Sequence, residues 1–141
     1  MFRRDVEDWI CGYLSERTPE HNNLPRCPYA KKSLLKNTVW FEEATIEAQV
    51  LGIVERYSKN WDDDKHEAVI IHLNWDITDE ERIEIGNSCL TFYGLNNDIV
   101  FIEERRTLGD TTYDMILMHR FSEMQVAKRY LKKKGYYANK D

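Results

Sequence analysis

No stretch of this chain approaches the roughly 18 consecutive apolar residues that a membrane-spanning helix needs. Arg3 and Arg4 are followed by acids rather than by an apolar run, so the opening residues do not read as a secretory signal. Cysteine is scarce and odd in number. Cys11, Cys27 and Cys89 stand at long, unpatterned spacings, which suits reduced thiols in a cytoplasm better than a disulfide framework. All six glycines are isolated, which excludes nucleotide enzymes built on a glycine-rich phosphate loop. His66, His72 and His119 lack the i, i+4 spacing of a metal helix, no Cys-x-x-Cys is present, and 62–64 is three consecutive aspartates without the alternation and glycine of a calcium loop. Neither metal nor cofactor is therefore expected. No repeat, low-complexity tract or long linker divides the chain, so residues 1–141 read as one domain.

The 141 residues, 42% apolar and 32% charged, suffice for one core without covalent staples. The most continuously apolar and β-branched segment is 67–73, an unbroken run that suits a central strand covered on both faces. Val6, Trp9, Ile10, Tyr13 and Leu14 share one face of a helix over 3–16. Residues 17–26 read as an exposed loop, and Pro28 suits the first turn of a short helix over 28–36 with Cys27 as its N-cap. A strand over 38–41, ended by Glu42 and Glu43, leads to a helix over 44–58. Thr78 and Glu81 form a capping box for a helix through Phe92, with Ile83, Gly86, Asn87 and Leu90 on one side. Strands over 98–104 and 113–121 flank loop chemistry at 105–112 and form a hairpin. A second capping box, Ser122 with Gln125, opens a helix through Lys134 that turns Met124, Ala127, Tyr130 and Leu131 inward.

The predicted fold is α/β: a single mixed four-stranded sheet in the order β-α-β-α-β-β-α, preceded by two N-terminal helices. The first two strands should be parallel through a right-handed crossover and the last two antiparallel, while the sense of the third against the second stays open. This element order is similar to that of thioredoxin-like domains. Cys27-Pro28-Tyr29 also resembles the Cys-Pro-Tyr-Cys of glutaredoxins. Ala30, however, replaces the second cysteine, and the motif precedes the first strand, so that disulfide chemistry does not carry over. The chain resembles more closely a bacterial domain family of unknown function whose members carry a Trp-containing helix, then Leu-Cys-Pro-Phe-Ala-Lys, and later a strand ending in Val-His. Trp9, the stretch Cys27, Pro28, Tyr29, Ala30 and Lys31, and the pair Ile71 and His72 carry that likeness over the first half of the chain. Pro25 and Arg26 depart from it just before the cysteine, and the resemblance implies no activity.

Two functional expectations follow from the residues. The first is a binding domain for a protein or small molecule, a homodimer being one form of it, with Trp9, Tyr13, Trp61 and Trp75 as aromatic contacts. The second is a thiol-dependent enzyme. A helix start with Arg26, Lys31 and Lys32 would favour a thiolate and make Cys27 a reactive cysteine. His72 would be its base, and Glu43 or Asn74 would orient the histidine from the carboxyl ends of the first two strands. The plainer alternative is a half-buried cap at Cys27 and a hydrogen-bonded histidine at a strand end. His119, alternating with Met115 and Leu117, reads as a core histidine. The basic cluster Lys128, Arg129, Lys132, Lys133 and Lys134 is accounted for by the dipole of the last helix, and a formal charge of −5 argues against a surface that wraps nucleic acid along its length.

Overall fold

A computed structural model describes residues 1–138 and, for Leu95, the backbone alone. It is an α/β architecture whose main sheet has four strands. Helix α1 (Phe2–Cys11) ends at Gly12, earlier than its periodicity suggests, because the chain turns back there and Ser15 Oγ donates to the Ile10 carbonyl at 2.6 Å. The expected loop 17–26 is instead a folded knuckle. Strands β1 (Arg17–Thr18) and β2 (Leu24–Pro25) pair antiparallel around a 3-10 turn at Pro19–His21. His21 and Thr18 are buried there, 2.7 Å apart between Nδ1 and Oγ1. Helix α2 (Ala30–Leu35) begins later than expected, and its N-cap position is Tyr29, so Cys27 does not cap it.

The core sheet then assembles. Strand β3 (Val39–Ala44) runs through Glu42 and Glu43, which the composition had placed at its end. Their carboxylates find partners: Tyr57 Oη donates to Glu42 Oε2 at 2.5 Å, and Asn74 Nδ2 donates to Glu43 Oε1 at 2.8 Å. Helix α3 (Glu47–Lys59) returns the chain to β4 (Ala68–Leu73), which pairs parallel with β3 from Val39↔Ala68 to Ala44↔Leu73. Helix α4 (Asp79–Cys89) opens on the expected Thr78/Glu81 capping box and widens into one π turn at Leu90–Gly94 before a short α5 (Leu95–Asn97). Strands β5 (Ile99–Leu108) and β6 (Thr111–Arg120) form the hairpin, longer than expected because the turn is only Gly109 and Asp110. Gly109 comes first at φ +65°, as a II′ turn asks.

The strand order is β3-β4-β6-β5. Strand β6 inserts antiparallel between β4 and β5, with Val69↔Met118 and His72↔Met115, which answers the question the sequence left open. His119 therefore lies toward the amino end of β4, away from His72, half-buried with its Nδ1 3.3 Å from the Glu67 carbonyl. One sheet face packs on Val50, Ile53, Val54 and Tyr57 of α3 and Ile85 and Cys89 of α4. The other packs on Val6 and Ile10 of α1 and Ala30 and Leu34 of α2.

Helix α6 (Phe121–Lys133) follows β6 without the expected Ser122/Gln125 box. Asp98 supplies the cap from another element, accepting from the Ser122 amide at 3.1 Å and its hydroxyl at 2.5 Å. Leu131 is buried as expected, whereas Tyr130 points outward and is 52% exposed. Helix α4 also departs from its predicted face: Ile83 and Leu90 are exposed, and Arg82, Ile85 and Cys89 are buried. An arginine faces inward because three carboxylates meet it. Its Nη1 reaches Asp79 at 2.8 Å and Asp114 at 2.9 Å, Nε donates to Glu103, and Arg105 adds a second guanidinium on Asp114 at 2.8 Å.

Removing the buried member of such a network strands its partners, whereas an exposed member is screened by water. Arg82→Met should cost about 3 kcal/mol of stability in urea unfolding, and Arg105→Met well under half of that. Equal losses would show that burial of Arg82 does not set the cost.

Candidate functional site

The structure brings together three of the four residues singled out for chemistry. Glu43 and His72 are direct cross-strand partners of the parallel β3–β4 ladder, and Asn74, just past β4, is tied to Glu43. Around them are residues whose role the sequence did not suggest. Phe2 of α1 stacks on His72 with centroids 4.4 Å apart and planes 10° off parallel, and Tyr113 meets both rings edge-on at 5.2 Å. The Tyr113 hydroxyl donates to Asp5. No local pattern announces this nest, since its members are far apart in sequence and meet only when α1 lies across the sheet. Burial lowers the pKa of His72, opposed by the carboxylates of Glu43 and Asp114.

Cys27 keeps different company. Its amide donates to the Leu14 carbonyl at 2.8 Å, and its side chain lines an open cleft of about 510 Å³ with Arg17, Lys31, Lys32 and Lys36. Among the described contacts, those of Cys27 and of His72 share no residue. Arg26 is engaged elsewhere, with Nη1 3.3 Å from Glu16 and its guanidinium 4.0 Å above the Tyr13 ring. Lys31 and Lys32 do border the cleft. Among the described residues, no three His, Cys, Asp or Glu side chains converge as a metal site requires, and no helix is long and apolar enough to cross a membrane.

The aromatic contacts expected from the sequence are dispersed. Trp61 and Trp75 pack against the α3 side of the core, Trp9 against the other side beneath Arg106 at 4.8 Å, and only Tyr13 is exposed. A different aromatic patch exists. Past α6, Gly135 turns the chain at φ +76°, packed so closely on Asn22 that a Cβ would come within 2.8 Å of its amide nitrogen. Asn22 Nδ2 donates to the Lys134 carbonyl at 3.1 Å, the Tyr136 hydroxyl donates to the Arg26 carbonyl, and the Tyr136 ring stacks on His21 at 4.3 Å. This tether sets the end of α6 beside the loop before α2. Tyr29 accordingly has its phenol pKa raised by burial and then by Tyr130, Tyr137 and Cys27, while Tyr137 meets Tyr136 edge-on at 4.8 Å. Tyr29, Tyr130 and Tyr137 are 36%, 52% and 37% exposed.

The same tether joins charge. Residues 26–36 and 128–134 contain nine of the twenty lysines and arginines and none of the 25 acids. Lys36 pairs with Glu67 at 3.5 Å, and Lys134 lies 5.5 Å from the Tyr130 centroid. Lys31, Lys32, Lys128, Arg129, Lys132 and Lys133 are exposed, with no ion pair among the described residues. Each segment was visible in the sequence. Their meeting was not, because it depends on Tyr136, Asn22 and His21, which lie in neither.

No family model, curated protein or solved structure matches the chain.

Two measurements probe the site's surroundings. Burial lowers the pKa of His66, His72 and His119, so below the ordinary histidine value of about 6.5 the unfolded chain binds protons that the folded chain does not. Stability is then full above that value and falls as the pH drops through the lowered folded values. Urea midpoints should decline across this window, and less steeply in His72→Phe, which keeps a ring against Phe2; an unchanged slope would remove His72 from the effect. Cys11 is exposed, whereas burial, helped by Glu47, pushes the Cys89 thiol up to about 12. Iodoacetamide should label Cys11 in the native protein and Cys89 only after denaturation, and native labelling of Cys89 at the rate of Cys11 would contradict the packing of α4.

Proposed function

We propose that this chain is a binding domain that holds a polyanionic partner on the face formed by residues 26–36 and 128–137. One observation carries the reading: side-chain hydrogen bonds set two acid-free cationic segments beside each other, and six of their cations have no ion pair among the described residues. Solvated cations at such density repel one another, and the helix dipole offsets this only for those in the last turn of α6, so an incoming anion is the partner that relieves the rest. The remainder of the chain carries eleven cations against 25 acids. A polyanion is therefore repelled elsewhere and steered to this face. The half-exposed tyrosines supply contact area at small entropic cost.

The test is retention on a sulfated-polysaccharide resin. Lys31→Gln with Lys32→Gln, and separately Lys132→Gln with Lys133→Gln, should each elute at distinctly lower salt than the unmodified protein. Lys59→Gln, on α3 and paired with Glu55 at 2.8 Å, should elute unchanged. Both double variants eluting with the unmodified chain would remove this reading.

A further inference from the structure

We infer that the partner held on this face is single-stranded nucleic acid, with Tyr29, Tyr130 and Tyr137 as stacking platforms for unpaired bases and the surrounding lysines on the phosphates. The inference rests on the reading of the face as polyanion-binding and adds the chemistry of the ligand. Seven of the nine cations in the two segments are lysines. Protein–protein interfaces are depleted in lysine, because a strongly hydrated ammonium is costly to bury, whereas phosphates in solvent accept it as a point charge. The tyrosines decide between nucleic-acid forms. In a duplex the base faces are already stacked on each other, and exposed phenol rings find only the sugar–phosphate edge. An unpaired strand offers a π-face at every nucleotide, and such stacking tolerates any sequence.

The layout fits a strand rather than an enclosed small molecule. Tyr130 lies on an exposed stripe of α6 with Val126 one turn before it and Lys134 one turn after, the ammonium over the ring. From there the surface continues to Tyr29 and then to the open cleft bordered by Lys31, Lys32, Lys36 and Arg17. A backbone laid along this path has both rings and cations within its reach. The formal charge of −5, which argues against wrapping nucleic acid over the whole molecule, leaves such a local track intact because its two segments contain no acid, and Glu67 on Lys36 and Glu16 on Arg26 leave the other cations without an ion pair among the described residues.

The experiment is fluorescence anisotropy on the full chain with four labelled probes of equal length: oligothymidylate, oligouridylate, a DNA duplex and polyglutamate. The single strands should bind, more weakly as salt is raised, and more tightly than the duplex. Comparing the thymidylate and uridylate arms decides whether DNA or RNA is preferred. Tyr130→Ala and Tyr29→Ala should each weaken strand binding about tenfold, the size expected for one lost base stack, and weaken polyglutamate binding much less. Tyr130→Phe, which keeps the π-face, should bind as the unmodified chain does. Since Tyr130 is exposed, an unchanged thermal midpoint will show that the alanine variant is folded. Tyrosine variants that bind single strands normally, or a preference for the duplex, would overturn the inference. Binding of polyglutamate without binding of strands would overturn it too, while leaving the binding-face reading standing. Binding of no polyanion would remove both.

Discussion

Ala68, Val69, Ile70, Ile71 and Leu73 are all buried, although successive side chains of a strand point to opposite faces. A strand apolar on both faces needs a layer of structure on each, and the remainder of the architecture answers that demand. Helices α3 and α4 close one face, α1 and α2 the other, and β6 rather than β5 takes the position beside β4 because Met115, Ile116 and Met118 are also fully buried. Such a strand cannot take its register from apolar alternation, since a slip by one residue would still bury apolar groups. Polar markers at its ends constrain it instead. The Ser33 hydroxyl donates to Glu67 just before the strand, and Asn74 bonds Glu43 just after it.

Charge is treated in two opposite ways in the same molecule. On the α4 side of the sheet, Arg82 is almost fully buried and every charge near it has a partner, so the cost of desolvation is met by close carboxylates. Where the end of α6 meets the loop before α2, exposed cations are gathered, and six of them have no ion pair among the described residues. The first arrangement locks α4 onto the hairpin. The second leaves electrostatic potential available to something outside the chain. It is this contrast, more than the number of charges, that separates a structural cluster from a binding face.

The knuckle at residues 17–26 links the two halves of that face. His21 is buried against Tyr136, Asn22 holds the Lys134 carbonyl, and the Arg26 carbonyl accepts from Tyr136. These contacts span more than a hundred residues of sequence, so they form late in any order of assembly that starts with the hairpin and α3. The nest of Phe2, His72 and Tyr113 is similarly long-range, and it positions α1 across the sheet.

Read alone, the sequence determined the elements whose signal is local. The β-branched run of β4, the Thr78/Glu81 capping box, the parallel β3–β4 pair and the β5–β6 hairpin follow from periodicity, capping chemistry and turn residues within a few positions of each other. Only the tertiary structure decided what depends on partners distant in sequence. Arg82 faces inward because Glu103 and Asp114 wait there, Glu42 stays in its strand because Tyr57 meets it, and Asp98 caps α6 in place of Ser122. The proline after Cys27 suggests a helix start there, yet α2 begins at Ala30, after a turn that leaves the thiol in a cleft bordered by lysines. The cationic face is the clearest case, because electrostatic potential adds through space, and nothing local in residues 26–36 or 128–134 records that Tyr136 and Asn22 draw them together.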